Sequence, residues 1–265
     1  EFQVKPTAPT VTAKENGDVV VAHTNQTNVN KLSFTYIDVS GAQQTVTATK
    51  NRNSWTLDNT SIDGVTINAT SGEVTIKDRA VRDATDVTAK VVTSDEVNSN
   101  NTTTASGAGE RVAPEFSFDG TNTTLENGAR TVYVTPTETN SFKLGTVTDN
   151  SKKIIESRLS SDLDYGLSYE GKLVKTANRE ETAPKDIIIT GKLDRTNKSN
   201  SGNRWNDGDQ IVTRYVVATD ASGNVLNNPT NTPSNPTRVV FKVLTQATKY
   251  TPQVATQAIN KDITP

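Results

Sequence analysis

The side chains of this sequence that could take part in chemistry are mostly carboxylates, amides and hydroxyls. Its 265 residues include one histidine, His23, and no cysteine, so disulfides, zinc–thiolate sites and thiol nucleophiles are excluded. A hydroxyl nucleophile needs a base beside it that a third group orients, but His23 ends the run DVVVAH with no catalytic motif around it. The acidic residues leave a carboxylate pair for glycoside cleavage open, although no spacing singles one out. We interpret His23 as an ordinary strand residue and predict that the protein is not an enzyme.

Loops rich in Asp and Asn supply the oxygen ligands that calcium prefers. One such loop follows the run DVTAKVVT in the first half of the chain, and a matching one follows IVTRYVVAT in the second half. The candidate metal ligands in these loops are Asp95, Glu96, Asn98, Asp220 and Asn224. A third cluster of this kind extends over 194–209. The alternative interpretation is that these residues form turns by capping their own backbone. Calcium is therefore the candidate cofactor, and a purely structural role for these loops is the alternative.

Trp205 is the candidate aromatic residue for ligand binding, and Arg204 and Asp207 flank it. An aromatic side chain in a polar loop is typical of a binding hot spot. The same side chain can instead hold the loop against the hydrophobic core, and we favour this second interpretation. Trp55 is predicted to pack in the core of the first half of the chain.

Charge and hydropathy narrow the choice of partners. The formal net charge is −2 with both signs interspersed, so no basic stripe is available to follow a phosphate backbone. No apolar run approaches the roughly 18 residues of a membrane-spanning helix. We therefore predict neither nucleic-acid binding nor membrane insertion. Methionine is absent, which predicts a processed chain or a part of a longer one, whose neighbouring domains are then expected partners.

Short runs of alternating apolar and polar residues indicate β-strands throughout the chain. Hydrophobic residues make up 32% of the sequence, and this low share suits strands that keep one face in water. The predicted strands are Asp18–His23, Lys31–Ile37, Gln44–Thr49, Gly72–Ile76, Val87–Thr93 and Thr237–Leu244. Turn-forming residues separate strands at roughly 8–12-residue intervals, as in a sandwich or barrel. Helical periodicity is scarce, and its best candidates are Ser151–Leu163 and Thr248–Ile263.

Similar sequence blocks recur in the two halves in the same order, which predicts a duplicated domain. The triplet ENG follows PTV in the first half and PEF in the second, and TN followed by KL occurs at 27–32 and 139–144. Near the ends of the halves, DVTAKVVTSD matches IVTRYVVATD. We predict an all-β protein of two tandem β-sandwich domains, at 1–112 and 113–248. The second domain carries an insertion near 177–210, and residues 249–265 form an extension or linker.

Several of these segments carry a family resemblance. They are INATSGEVTI at 67–76 in the first half, and GLSYEGKL, ITGKL and VVATDASGN in the second. This sequence style resembles the bacterial immunoglobulin-like and cadherin-like modules of cell-wall-anchored adhesins of Gram-positive bacteria, including the large matrix-binding adhesins of staphylococci. The resemblance implies immunoglobulin-like or cadherin-like β-sandwiches, an extracellular location at the cell wall, and, as in some cadherin-like relatives, calcium between domains.

The function that these observations predict is that of a non-enzymatic fragment of a bacterial surface adhesin. Such a fragment acts as a stalk, or binds a host extracellular matrix protein or glycan through exposed loops and sheet edges. Two alternatives remain open. The chain could be a subunit fragment of a self-assembling surface layer, or an accessory, non-catalytic module of a wall-active enzyme.

Overall fold

The computed structural model describes residues 3–193, 205–227 and 230–244, and the regular elements in these ranges are all β-strands. The chain forms two compact units, and the sequence boundary between them lies between Val112 and Ala113. The short segments Lys175–Glu180 and Asp220–Asn224 group with the first unit. The described residues contain no helix of the length and hydropathy that crossing a membrane requires.

Nine strands build the first unit. They are β1 (Thr10–Ala13), β2 (Val19–Ala22), β3 (Val29–Ile37), β4 (Gln43–Asn51), β5 (Ser54–Leu57), β6 (Val65–Ile67), β7 (Val74–Ile76), β8 (Asp86–Thr93) and β9 (Thr102–Ala105). One sheet has the order β1-β2-β7-β6 and the other the order β5-β4-β3-β8-β9, and their pairs are antiparallel. This is the order of a variable-type immunoglobulin domain, with an A-B-E-D sheet and a C″-C′-C-F-G sheet.

Alternation along β3 shows how this sequence makes a two-sided strand. Leu32, Phe34 and Tyr36 are buried, whereas the residues between them are more exposed. Because successive side chains of a strand point to opposite faces, one face of β3 enters the core and the other meets water. Both sheets contribute to one core, whose largest fully buried side chains include these three and Ile76.

The water-facing side of the same sheet carries a row of threonines across four strands. Thr35 of β3 is in register with Thr45 of β4 and with Thr88 of β8, which in turn faces Thr103 of β9. The hydroxyls of Thr35 and Thr45 lie 3.2 Å apart, and those of Thr88 and Thr103 lie 2.7 Å apart. Threonine suits this surface for two reasons: its β-branched side chain favours strands, and its hydroxyl is polar and faces water.

Ten strands build the second unit within the part of the chain that the structure describes. They are β10 (Glu115–Phe118), β11 (Thr124–Glu126), β12 (Ala129–Val134), β13 (Asn140–Thr148), β14 (Lys153–Leu159), β15 (Leu167–Glu170), β16 (Glu181–Thr182), β17 (Lys185–Gly191), β18 (Gln210–Asp220) and β19 (Arg238–Val243). One sheet has the order β10-β13-β17-β15 and the other the order β11-β12-β19-β18-β14-β16. The first again has the A-B-E-D order, and β14, β18 and β19 hold the C, F and G positions of the second. Strand β12 runs parallel to β19.

A separate hydrophobic core fills the second unit. Its fully buried side chains include Leu144 and Ile187 from the four-stranded sheet, and Ile154, Leu159 and Phe241 from the six-stranded sheet. Each unit therefore closes a core between its own two sheets, which is the arrangement of an immunoglobulin-like β-sandwich. The prediction of an all-β fold with immunoglobulin-like sandwiches is confirmed. The predicted insertion, 177–210, carries β16 and β17, and its residues 194–204 lie outside the described part.

The helix predicted for Ser151–Leu163 is wrong, because this segment forms β14. Ile154 and Ile155 are adjacent in sequence and both fully buried, and Ser157 is buried as well. A strand that is covered on both faces loses the simple apolar–polar alternation, so its sequence no longer distinguishes a strand from a helix. The second predicted helix, Thr248–Ile263, and the predicted extension at 249–265 lie outside the described residues.

The sequence blocks that the two halves share are equivalent in some places and not in others. DVTAKVVTSD falls on β8 and IVTRYVVATD on β18, and both strands hold the F position. The KL blocks fall on β3 and β13, and the TN blocks lie at or just before the starts of these strands. Strand β3 lies between β4 and β8, whereas β13 lies between β10 and β17, so these are a C strand and a B strand. That match reflects how common Thr, Asn and Lys are in this chain.

Candidate functional site

His23 lies just past the end of β2, and its ring packs against Trp55. The ring centroids are 4.8 Å apart in an edge-to-face arrangement. Burial lowers the pKa of His23 below its ordinary value, and its Nε2 is buried without a hydrogen-bond partner. An imidazole held neutral against an indole serves as a packing residue. Trp55 itself is 3% exposed and belongs to the first core, which confirms its predicted place.

Asp95, Glu96 and Asn98 lie at the turn that follows β8, and all three side chains are exposed. The turn is closed by its backbone and by one threonine: the Glu96 N–H donates to the Thr93 carbonyl at 2.9 Å, and the Val97 N–H donates to Thr93 Oγ1 at 2.9 Å. Within the described ranges, neither acidic residue belongs to a group of three acidic or histidine ligands close enough to share an ion. The structure therefore places these three candidates on a solvated turn.

Asp220 is the last residue of β18, Asn224 lies in the loop that follows it, and Asp220 is fully buried. Its Oδ1 accepts hydrogen bonds from the backbone N–H of Ser222 at 3.0 Å and of Asn224 at 2.8 Å. The Asn224 Nδ2 donates to Asp220 Oδ2 at 3.0 Å. The carboxylate thus caps its own loop, which is the structural interpretation of a DASGN sequence.

A second carboxylate approaches the same amide within the first unit. The Asn224 Nδ2 donates to Glu110 Oε2 at 2.9 Å and to the Glu110 carbonyl at 3.1 Å. One amide nitrogen therefore bridges the carboxylates of Asp220 and Glu110. A donor between two carboxylates occupies the place that a cation takes in an oxygen-ligand site. The sequence identified Asp220 and Asn224 but missed Glu110, since its role depends on contacts 110 or more residues away in sequence.

Trp205 packs against the second core. Its ring meets that of Tyr165 edge to face, with centroids 5.2 Å apart and planes at 84°. Asp207 is exposed in the turn that precedes β18. In this turn the Gly208 N–H donates to the Val243 carbonyl at 2.7 Å. Arg204 and Asp194 lie outside the described residues. The ring of Trp205 thus contacts the core of the second unit, and its predicted role in ligand binding stays a prediction.

An open cleft of about 260 Å³ lies where β12 ends and β13 begins. We call it the Tyr133 cleft, and the residues that line it are Asn122, Tyr133, Thr135, Glu138, Thr139, Asn140, Ser141, Phe142 and Leu244. Two aromatic rings therefore share one surface with a carboxylate, two amides and three hydroxyls besides that of Tyr133. Glu138, Thr139 and Ser141 are exposed.

Buried Asn140 fixes the shape of this cleft. Its Oδ1 accepts from the Thr135 N–H at 3.3 Å, and its Nδ2 donates to the Gly191 carbonyl at 3.1 Å. Asn122 is held in the same way, because its Nδ2 donates to the Lys143 carbonyl at 2.9 Å. Both amides connect different strands or loops, so the walls of the cleft are formed before any ligand arrives.

Tyr133 is hydrogen-bonded to an ion pair whose two residues, Glu126 and Lys242, are not among the lining residues of the cleft. Its hydroxyl donates to Glu126 Oε1, and Lys242 Nζ lies 3.2 Å from Glu126 Oε2. Burial, together with the Glu126 carboxylate, raises the pKa of Tyr133 to about 12. The hydrogen bond from Tyr133 lowers the pKa of Glu126. The phenol therefore stays neutral well above physiological pH.

Sequence reasoning missed the Tyr133 cleft for a physical reason. Its residues come from two loops, two strands and the segment after β19, and no known short motif joins them. The cleft exists because β12 pairs with β19, which follows it by more than 100 residues. The one signal in the sequence is the cluster of Thr, Glu, Asn and Ser between two aromatic positions at 133–142.

Comparisons with known proteins match no family model and no curated protein. One solved structure with a weak likeness is that of extracellular domains 3–5 of Drosophila OTK. The alignment has 8% sequence identity and a TM-score of 0.21, and it covers 91% of this chain and 67% of that one. The class of the protein, a pair of immunoglobulin-like β-sandwiches, rests on its strand order and on its two cores.

Proposed function

We propose that the chain is a non-enzymatic, extracellular module of a bacterial surface adhesin, and that its second unit binds a glycan in the Tyr133 cleft. The single observation that carries this proposal is the pairing of two aromatic rings with exposed hydroxyls and a carboxylate in one preformed cleft. Aromatic faces pack against the C–H faces of a sugar ring, and carboxylates and hydroxyls exchange hydrogen bonds with sugar hydroxyls.

The non-enzymatic part of the proposal is supported by the surroundings of His23. His23 is the one imidazole that a Ser–His or Thr–His nucleophile pair could use as its base, yet its ring packs on Trp55 with Nε2 buried. The sandwich architecture supports the adhesive part, since rigid β-sandwiches present ligand-binding loops and strand ends at their surface. The resemblance of several segments to modules of Gram-positive wall-anchored adhesins supports a place at the bacterial surface.

The glycan proposal is tested by blocking the cleft in the intact chain. Ser141→Arg places a long side chain at an exposed lining position, and Thr137→Arg places the same side chain at an exposed neighbouring position outside the lining. Both variants and the parent protein are applied to an array of neutral galactose- and N-acetylglucosamine-containing oligosaccharides. We expect binding by the parent and by Thr137→Arg, and at least about tenfold weaker binding by Ser141→Arg. A parent protein that binds none of these sugars contradicts the proposal and favours a stalk.

Calcium binding at the loop that follows β18 is a second proposal, supported by the amide that bridges Asp220 and Glu110. Rotation of the Asn224 amide would turn its oxygen toward a bound ion, adding to the two carboxylates. A ligand that binds the folded state raises the melting temperature. We expect millimolar calcium to raise the Tm of the parent protein and not that of Glu110→Gln, which keeps an oxygen acceptor for Asn224. An equal shift in both proteins, or no shift in either, contradicts calcium binding at this loop.

A further inference from the structure

A second cleft in the second unit, of about 310 Å³, lies beside the turn that joins β11 to β12. We call it the arginine cleft. Arg130 and Arg238 both line it, and its described lining residues include no Asp or Glu. This cleft therefore has two positively charged side chains and no carboxylate in its described lining, whereas the charged residue of the Tyr133 cleft is Glu138.

Neither arginine of this cleft is neutralised by a described carboxylate. The guanidinium of Arg130 lies over the Phe118 ring, 5.2 Å from its centroid, and Arg238 Nε donates to the neutral Asn231 Oδ1 at 3.3 Å. By contrast, Arg158 and Arg214 of the same unit each form an ion pair with a carboxylate. Arg130 and Arg238 are therefore oriented by neutral neighbours, and their charge remains available to a ligand.

The opposite wall of the arginine cleft is a proline-bearing loop that a buried side chain fixes. Asn235 Nδ2 donates to the Thr230 carbonyl at 2.7 Å, and its Oδ1 accepts from the Thr237 N–H at 2.9 Å and from Thr237 Oγ1 at 3.0 Å. Pro233 and Pro236 restrict the backbone on either side of it. The cleft therefore requires little ordering when a ligand binds.

We propose that the arginine cleft binds the carboxylate or sulfate group of an acidic saccharide. Guanidinium groups recognise such anions through paired N–H donors in a planar fork. Leu125, which is 60% exposed, and the two prolines offer apolar surface for the C–H face of the sugar ring that carries the anion. This inference rests on the proposed glycan-binding function and adds to it a separate site in the second unit, for acidic saccharides, whose lining shares no residue with that of the Tyr133 cleft.

The test measures binding of three hexasaccharides to the intact protein by calorimetry. Hyaluronan supplies carboxylates, chondroitin sulfate supplies carboxylates and sulfates, and chitohexaose is neutral. The variants are Arg238→Gln and Arg130→Gln, and the matched control is Arg52→Gln, which removes the same charge from an exposed turn of the first unit. Ser141→Arg is measured beside them.

We expect each cleft variant to weaken binding of at least one acidic hexasaccharide about tenfold, while Arg52→Gln and Ser141→Arg retain it. Raising the salt concentration should weaken the same binding, because the contact is ionic. Preference for hyaluronan or for chondroitin sulfate identifies the anion as a carboxylate or a sulfate.

Three results would overturn this inference. If both arginine variants still bind the acidic hexasaccharides but Ser141→Arg does not, the glycan binds in the Tyr133 cleft and the proposed function stands. Tighter binding of a poly-glutamate peptide than of either acidic sugar assigns the arginine cleft to a protein partner. Absence of binding to any saccharide contradicts both this inference and the proposed function.

Discussion

The rings of Trp205 and Tyr165 meet edge to face with their centroids 5.2 Å apart. This contact joins the segment that precedes β18 to the loop before β15 in the second unit. Because the indole is partly buried against the core, Trp205→Ala should lower the free energy of unfolding by about 2 kcal/mol. Trp205→Phe keeps an aromatic edge for Tyr165 and should cost less. Urea unfolding measures both. If Trp205→Ala keeps full stability but loses glycan affinity, Trp205 is a binding residue and its packing role is refuted.

Gly171 follows β15 at a φ of +90°, where an added Cβ would lie 1.9 Å from the Asp186 carbonyl oxygen. Gly171→Ala therefore combines an unfavourable backbone conformation with overlap against a neighbouring strand. We expect a loss of at least about 2 kcal/mol in stability. Gly120→Ala is the matched control, because no atom lies within 4 Å of its added Cβ, and it should change stability by less than about 0.5 kcal/mol. Equal stability of the two variants would show that β15 and β17 do not pair as described.

The turn between β3 and β4 predicts a defined acid sensitivity. Asp38 accepts hydrogen bonds from Ser40 Oγ and from Gln44 Nε2, and also from the backbone N–H groups of Ala42 and Ser40. These bonds, with that from Ser40 Oγ the largest cause, lower the pKa of Asp38 from 3.8 to about 2.

Because the folded-state pKa of Asp38 lies below its unfolded value, the stabilisation is present above a pH of about 4 and is lost as the pH falls toward 2. Asp38→Asn should therefore be less stable than the parent protein at pH 7, and the gap should narrow between pH 4 and pH 2. Denaturant unfolding at pH 7, 4 and 2.5 measures the gap. A gap that stays constant across this range would show that ionised Asp38 does not hold the turn.

Tyr133 predicts a change at the opposite end of the pH scale. Its folded-state pKa is raised to about 12 by burial and then by Glu126. The neutral phenol therefore contributes stability below a pH of about 10, and this contribution is lost as the pH rises toward 12. The absorbance at 295 nm of the parent protein minus that of Tyr133→Phe should titrate near pH 12. In Glu126→Gln the same difference should titrate at lower pH, since a neutral amide no longer opposes ionisation. If the titration midpoint of Tyr133 in the parent protein lies near pH 10, the hydrogen bond from Tyr133 to Glu126 is contradicted.

Much of this fold could be predicted from local sequence. The alternation of Leu32, Phe34 and Tyr36 with polar residues gives the position of β3. The turn residue Gly17 separates β1 from β2, and Gly41 separates β3 from β4. The prediction failed at Ile154 and Ile155, where both faces of the sheet are covered and alternation disappears. Local patterns report the surroundings of one strand, and they contain no information about which strands become neighbours.

The candidate sites show the same limit. Asp220 and Asn224 were identified because they are four residues apart, whereas Glu110 reaches them only through the fold. Tyr133 and Leu244 of the Tyr133 cleft, like Arg130 and Arg238 of the arginine cleft, come together because β12 and β19 run side by side. Parallel pairing of such distant segments leaves no mark on short-range spacing, so the sequence offers at most the local cluster at 133–142 and not the strand pairing that completes either cleft.

The central claim is that each unit closes its own β-sandwich core, and amide hydrogen exchange in the intact chain tests it most directly. Leu32 and Leu144 are both fully buried, one in each core, and each substitution to Ala should cost about 2–5 kcal/mol. We predict that Leu32→Ala accelerates exchange in β2, β3, β7 and β8 and leaves β13, β17, β18 and β19 unchanged, and that Leu144→Ala does the reverse. Acceleration of both sets of strands by either variant would show one shared core and would contradict the account.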